Sequence, residues 1–99
     1  KSPVLLDYYA DWCIDCLRME KSTFNDPAVR DALKNFTMLQ VDVTDPRNLA
    51  TNAIKQRYGV FGPPAMLFFD KNGTEVRELR QYGFMSPEDF VDHIASVQN

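Results

Sequence analysis

Two cysteines stand in this chain of 99 residues, both in the run Trp12-Cys13-Ile14-Asp15-Cys16. Thiols at this spacing can form and break a bond between themselves, which is two-electron thiol–disulfide exchange. If a helix begins at or just after Cys13, its free N–H groups and dipole face the first sulfur and favour a thiolate there. Cys16, one turn in, is then close enough to resolve a mixed disulfide between Cys13 and a partner. Cys13 is therefore expected as the exposed nucleophile and Cys16 as the buried resolving thiol. Two other uses of the pair compete. A zinc site needs about four ligands, and the chain offers only one histidine, His93, and no second cysteine pair, so the ion would have to be shared between chains. An inert disulfide is the other, but so short a loop removes little unfolded-state entropy.

The cysteines need a strand before them and a helix after them. Val4 to Ala10 is almost continuously apolar, as a central strand covered on both faces is. Asp7 interrupts it. A carboxylate buried there is costly when ionised, so its pKa should rise, unless it sits at a strand end and reaches solvent. The helix from Cys13 is expected to run through Leu17, Met19 and Glu20 and fade near Ser22. Asp26-Pro27 marks a second helix start, with Val29, Ala32 and Leu33 as its apolar stripe.

A strand follows from Phe36 to Val43. Asp45-Pro46 repeats the cap-and-proline start, with Leu49, Ala50, Ala53 and Ile54 as the buried face and Gly59 as the stop. Val60 to Pro64 is turn-rich. Pro64 directly precedes the apolar strand Ala65 to Asp70 and is the candidate for a cis peptide bond, with a rigid trans turn as the alternative. Lys71-Asn72-Gly73 predicts a hairpin turn, and Thr74 to Tyr82 its more polar partner strand. Ser86 and Asp89 form a capping box for a last helix, whose inward face is Phe90, Val91, Ile94 and Val97. Strand, helices, strand, helix, strand, hairpin strand and helix predict an α/β fold: one mixed sheet with helices on both faces.

The segment from Asp7 to Cys16 resembles the strand and Trp-Cys-x-x-Cys motif of the thioredoxin superfamily. Gly62-Pro63-Pro64-Ala65 falls where that superfamily carries its cis-proline loop. Thr23-Phe24-x-Asp26-Pro27-x-Val29, Val41-x-Val43-Thr44, Leu67-Phe68-Phe69-Asp70 and Gly83-Phe84-Met85 are similar to the C-terminal periplasmic domains of DsbD-type thiol:disulfide interchange proteins. The likeness spans essentially the whole chain. It implies a thioredoxin-like fold, and a single domain over residues 1–99 cut from a longer bacterial inner-membrane protein. The chain itself opens Lys1-Ser2-Pro3, with neither an initiator Met nor a signal-peptide pattern, and is expected to lack the first strand and helix of a full thioredoxin fold. The likeness also implies electrons arriving from a membrane domain and leaving through an N-terminal immunoglobulin-like domain to other protein disulfides and cytochrome c maturation. No cofactor is implied beyond the cysteine pair.

The same likeness assigns residues. Asp7 matches the position beneath the cysteines that assists proton transfer. Glu20 becomes a second acid near the site, with an ordinary solvated helix Glu as the alternative. Two carboxylates near Cys13 would oppose the helix dipole, whose effect is about 0.3–1 kcal/mol at an exposed site. Cys13 would then be a poor thiolate until a partner docks. Pro64, in cis, should face the active site. Pro63 stands where an aliphatic residue is more usual, and without an N–H it removes one backbone donor to a partner. Ala65 likewise replaces the more frequent Thr. Trp12 is expected to pack over the cysteine loop and shape the docking surface, or else to be core. Phe84 and Met85 could line that surface, with core packing as the rival. Asp15 adds charge between the cysteines or is a plain first-turn Asp, Asp11 reads as a loop residue, and His93 reads as a helix-surface residue.

Composition narrows the classes. The net charge is −3 with no basic block, which gives no footprint for nucleic acid or an anionic membrane surface. No apolar run approaches the roughly 18–20 residues of a membrane helix. The isolated domain is expected to be a monomer. A free-standing thioredoxin-like reductase, and a binding module on the same fold with idle cysteines, are the competing functions.

Overall fold

The computed structural model describes residues 2–60 and 62–98. Phe61, in the turn-rich segment before Pro63, lies outside the described residues. The sheet has four strands in the order β2-β1-β3-β4. Strand β1 (Val4–Tyr9) is central, parallel to β2 (Thr37–Asp42) and antiparallel to β3 (Ala65–Phe69). Its apolar run is buried on both faces because side chains alternate across a strand. Leu5 packs with Met19, Val29, Phe68, Phe90 and Ile94 on one face. Leu6 and Tyr8 pack with Val41, Leu67 and both cysteines on the other.

Helix α1 (Ile14–Arg18) starts at the cysteine pair and passes directly into a π-helical turn over Met19–Thr23. Helix α2 (Pro27–Leu33) begins as read, with the Asp26 carboxylate accepting from the Ala28 and Val29 amides. Helix α4 (Pro87–Gln98) also begins as read, with the Asp89 amide donating to Ser86 Oγ at 3.3 Å. Phe90, Ile94 and Val97 are its buried residues.

Four expectations are corrected. Helix α3 (Leu49–Tyr58) is capped by Asn48, whose Oδ1 accepts from the Thr51 amide at 3.2 Å. Asp45 instead turns back on its own loop, accepting from the Arg47 amide at 2.9 Å, so the Asp-Pro pair makes a turn rather than a helix start. The apolar stripe of α3 is not buried: Leu49 is 83% exposed, and only Ile54 and Tyr58 lean against the core. The long partner strand after Gly73 is reduced to a bridge between Phe69 and Glu75 and to β4 (Gln81–Tyr82). A 3-10 turn over Arg77–Leu79 intervenes, closed by the nearly buried Glu75–Arg80 ion pair, whose second bond is 2.9 Å. Finally, His93 is half-buried, with Nε2 at 2.6 Å from the Leu79 carbonyl and its ring edge-on to Phe68. It anchors α4 to the 3-10 turn.

Candidate active site

The end of β1 and the start of α1 meet at the cysteines. The Cys13 amide donates to the Ala10 carbonyl at 3.1 Å, which closes the loop through Asp11 and Trp12. Cys13 is itself the N-cap of α1, and its Sγ accepts from the Cys16 amide at 3.1 Å. One of the free N–H groups of the first turn thus points at the first sulfur, the arrangement that favours negative charge there. Cys13 and Cys16 are disulfide-bonded, with Cα atoms 5.2 Å apart. Cys16 Sγ lies 3.9 Å from the Tyr8 carbonyl oxygen, so in the dithiol form its S–H has an acceptor on β1. The expected contrast in exposure is corrected: Cys13 is 6% exposed and Cys16 4%. The bond to Cys16 and the cap contact fold the first sulfur back into the apolar cluster under β1.

Asp7 and Glu20 come together on one cavity of about 420 Å³, whose lining also includes Arg30 and Gln40. Burial pushes the Asp7 carboxyl up to about 7, the Gln40 side chain hydrogen-bonds it and acts the other way, and the nearby Glu20 charge raises it further. Glu20 is exposed, and its Oε1 accepts from Gln40 Nε2 at 3.2 Å. The Pro63–Pro64 bond, directly before β3, is cis, and the Pro64 carbonyl accepts from the Gly83 amide at 3.1 Å.

A description of thioredoxin-like domains matches residues 1–98. A thiol:disulfide interchange protein DsbD of Vibrio vulnificus is 46% identical over 100 residues, covering the whole chain but 16% of that relative. The DsbD of Pectobacterium atrosepticum is 47% identical over 92 residues, again 16% of its length. The chain therefore spans about a sixth of these relatives. Among solved structures, the oxidised DsbD C-terminal domain of Neisseria meningitidis matches with a TM-score of 0.82 and 32% identity, over 98% of this chain and 81% of that one.

The chain belongs to the thioredoxin-like family, within it to the DsbD C-terminal domains.

A disulfide at a helix start, in a thioredoxin-like fold, is the arrangement that thiol–disulfide exchange requires. Around the pair, Trp12 is 61% exposed and tethered by its Nε1 to the Thr44 carbonyl at 3.0 Å, so it stands on the surface beside the cysteines rather than in the core. Ile14 and Leu17 are exposed on the same short helix. Asp15 pairs with Arg18 at 3.0 Å, and the Arg18 guanidinium lies 4.0 Å over the Phe84 ring. Phe84 is thus half-buried, packed on the core and covered by Arg18. Asp11 accepts from the Tyr9 hydroxyl at 2.9 Å. Gln40 and Arg18 were not marked by the sequence. Gln40 lies opposite Asp7 in the parallel register, a pairing visible only once the strands are aligned.

Proposed function

We propose that this domain is the electron-carrying arm of a DsbD-type protein on the periplasmic side of a bacterial inner membrane. A membrane-embedded part of the same protein would reduce Cys13–Cys16, and the dithiol would pass its electrons to an N-terminal immunoglobulin-like domain and on to other protein disulfides. The observation that carries this reading is the match of the whole chain to about a sixth of DsbD relatives, with the cysteine pair at a helix start. Among the described residues no helix is long and apolar enough to cross a membrane.

The exchange balances without a further cofactor. The Cys13 thiolate attacks one sulfur of the partner disulfide, and the other partner sulfur leaves as a thiolate. Cys16, deprotonated, then attacks Cys13 Sγ and expels the second partner sulfur. The partner gains two electrons, and Cys13–Cys16 becomes the disulfide. Asp7, with its midpoint near neutrality, accepts the Cys16 proton. Glu20 lies on the same cavity and bears on Asp7 through its charge. Trp12, Pro63, Pro64 and the Arg18–Phe84 pair form the docking surface.

Trapping tests this directly. Cys16→Ala cannot resolve the mixed disulfide, so partners should accumulate on Cys13 in a periplasmic extract, reducible by dithiothreitol and absent from the Cys13→Ser, Cys16→Ala double variant. Equal capture by both variants would refute the proposal.

A further inference from the structure

Gln40 has no part in the steps above, yet its side chain bonds one acid and shares a cavity with the other. It stands on edge strand β2 opposite Asp7. Its Nε2 donates to Glu20 Oε1 at 3.2 Å, and the same side chain lines one cavity with Asp7, where it holds the Asp7 pKa down against burial. The other charged groups facing the cavity are accounted for. Arg30, from α2, is committed to the Phe24 carbonyl at 3.3 Å and Asn25 Oδ1 at 2.8 Å. Tyr9, next but one on β1, donates to Asp11, and its hydroxyl feels the charges of Glu20 and Asp42. Asp15, on α1, is paired with Arg18.

A carboxyl group that gains and loses a proton in a half-buried site needs a neighbour that serves both states. An ionised carboxylate only accepts, whereas a protonated one also donates. A primary amide carries two N–H donors and a carbonyl acceptor, so it can serve either state by a small rotation. A polar group left unpaired there would otherwise keep its full desolvation penalty.

We propose that Gln40 is a positioning residue: its amide holds the Asp7 and Glu20 carboxyl groups in one arrangement and keeps Asp7 paired whether or not it carries the proton. This rests on the reading of Asp7 as the acceptor of the Cys16 proton.

The test uses Gln40→Met, of similar length but without a strong donor or acceptor, and Gln40→Glu, which replaces the donor with a third acid. Carbon-13 NMR of the oxidised protein reads the Asp7 titration, and the rate of disulfide reduction against pH reads the chemistry. Loss of the donor should raise the Asp7 midpoint by about one pH unit in Gln40→Met. The acid limb of the rate profile should move up with it, and Gln40→Glu should shift both in the same direction. A purely structural role would lower the melting temperature and leave both midpoints in place, and that result overturns the proposal. Asp7→Asn separates the two readings. If it leaves the rate profile unchanged, Asp7 is not the acceptor and the kinetic half falls with it, while the NMR midpoint in Gln40→Met still decides whether Gln40 holds the carboxyl.

Discussion

At Asp7 burial and a neighbouring charge act together. Desolvation disfavours the carboxylate, and the Glu20 charge adds to it. Removing that charge should relieve part of the effect. In Glu20→Gln the Asp7 midpoint should therefore fall from about 7, read by carboxyl carbon-13 shifts, and an unmoved midpoint would show the two acids to be uncoupled. The residue types around the pair were legible: a carboxylate inside an apolar strand announces a raised pKa wherever its neighbours keep water out. What Asp7 touches was not legible. Its contact with Gln40 depends on strand register, and its tie to Glu20 on the path of the chain after α1. Trp12, read as part of the docking surface with core as the alternative, stands at the surface, held by one bond to Thr44.

Between Arg18 and Phe24 the regular helix gives way to a π turn, closed by the Phe24 amide on the Met19 carbonyl at 2.8 Å. A regular α-helix would set Glu20 roughly on the face of Cys13, but that count holds only while the geometry stays α. In the π turn Met19 and Thr23 face inward and Glu20 turns out toward Gln40. One extra residue in a turn leaves no compositional mark, so the sequence was silent on it. Two tertiary bonds hold the turn: the Thr23 hydroxyl donates to the Met85 carbonyl at 2.6 Å, and the Met85 amide to Met19 Sδ at 3.3 Å. Thr23 is fully buried, so Thr23→Val keeps the shape and strands the Met85 carbonyl. It should cost about 1–3 kcal/mol in urea unfolding, and a stability equal to wild type would remove the strap from the account. At the end of α3, Gly59 caps the helix at φ +67°, a backbone conformation that any side chain strains. Gly59→Ala should destabilise by about 1 kcal/mol in the same measurement.

Over the whole molecule, strand and helix order was written in the hydrophobic pattern, because each element must bury one face or both. The errors fall at the periphery, where burial no longer dictates pattern. Strand β2 lies at the sheet edge, with Met38 44% and Leu39 50% exposed, and the α3 stripe is likewise uncovered. Apolar type alone does not mean interior. Global stability carries the signature of Asp7. Its folded pKa of about 7 lies above the ordinary carboxyl value of 3.8, so the folded state holds the extra proton between those values. Stability is then greatest below about pH 4 with respect to this group and declines as pH rises toward 7. Urea unfolding of the oxidised protein should show that decline, and Asp7→Asn should flatten it and be the more stable protein at pH 7.5. A wild-type curve rising through this range on account of Asp7 would contradict the assignment.

In the proposed function electrons pass through Cys13 and Cys16. Reduction of insulin by dithiothreitol, followed by turbidity, measures it most directly. The wild-type domain should accelerate precipitation and Cys13→Ser should fall to the uncatalysed rate. Equal rates with the two proteins would contradict the account and leave the fold as a binding surface with idle cysteines.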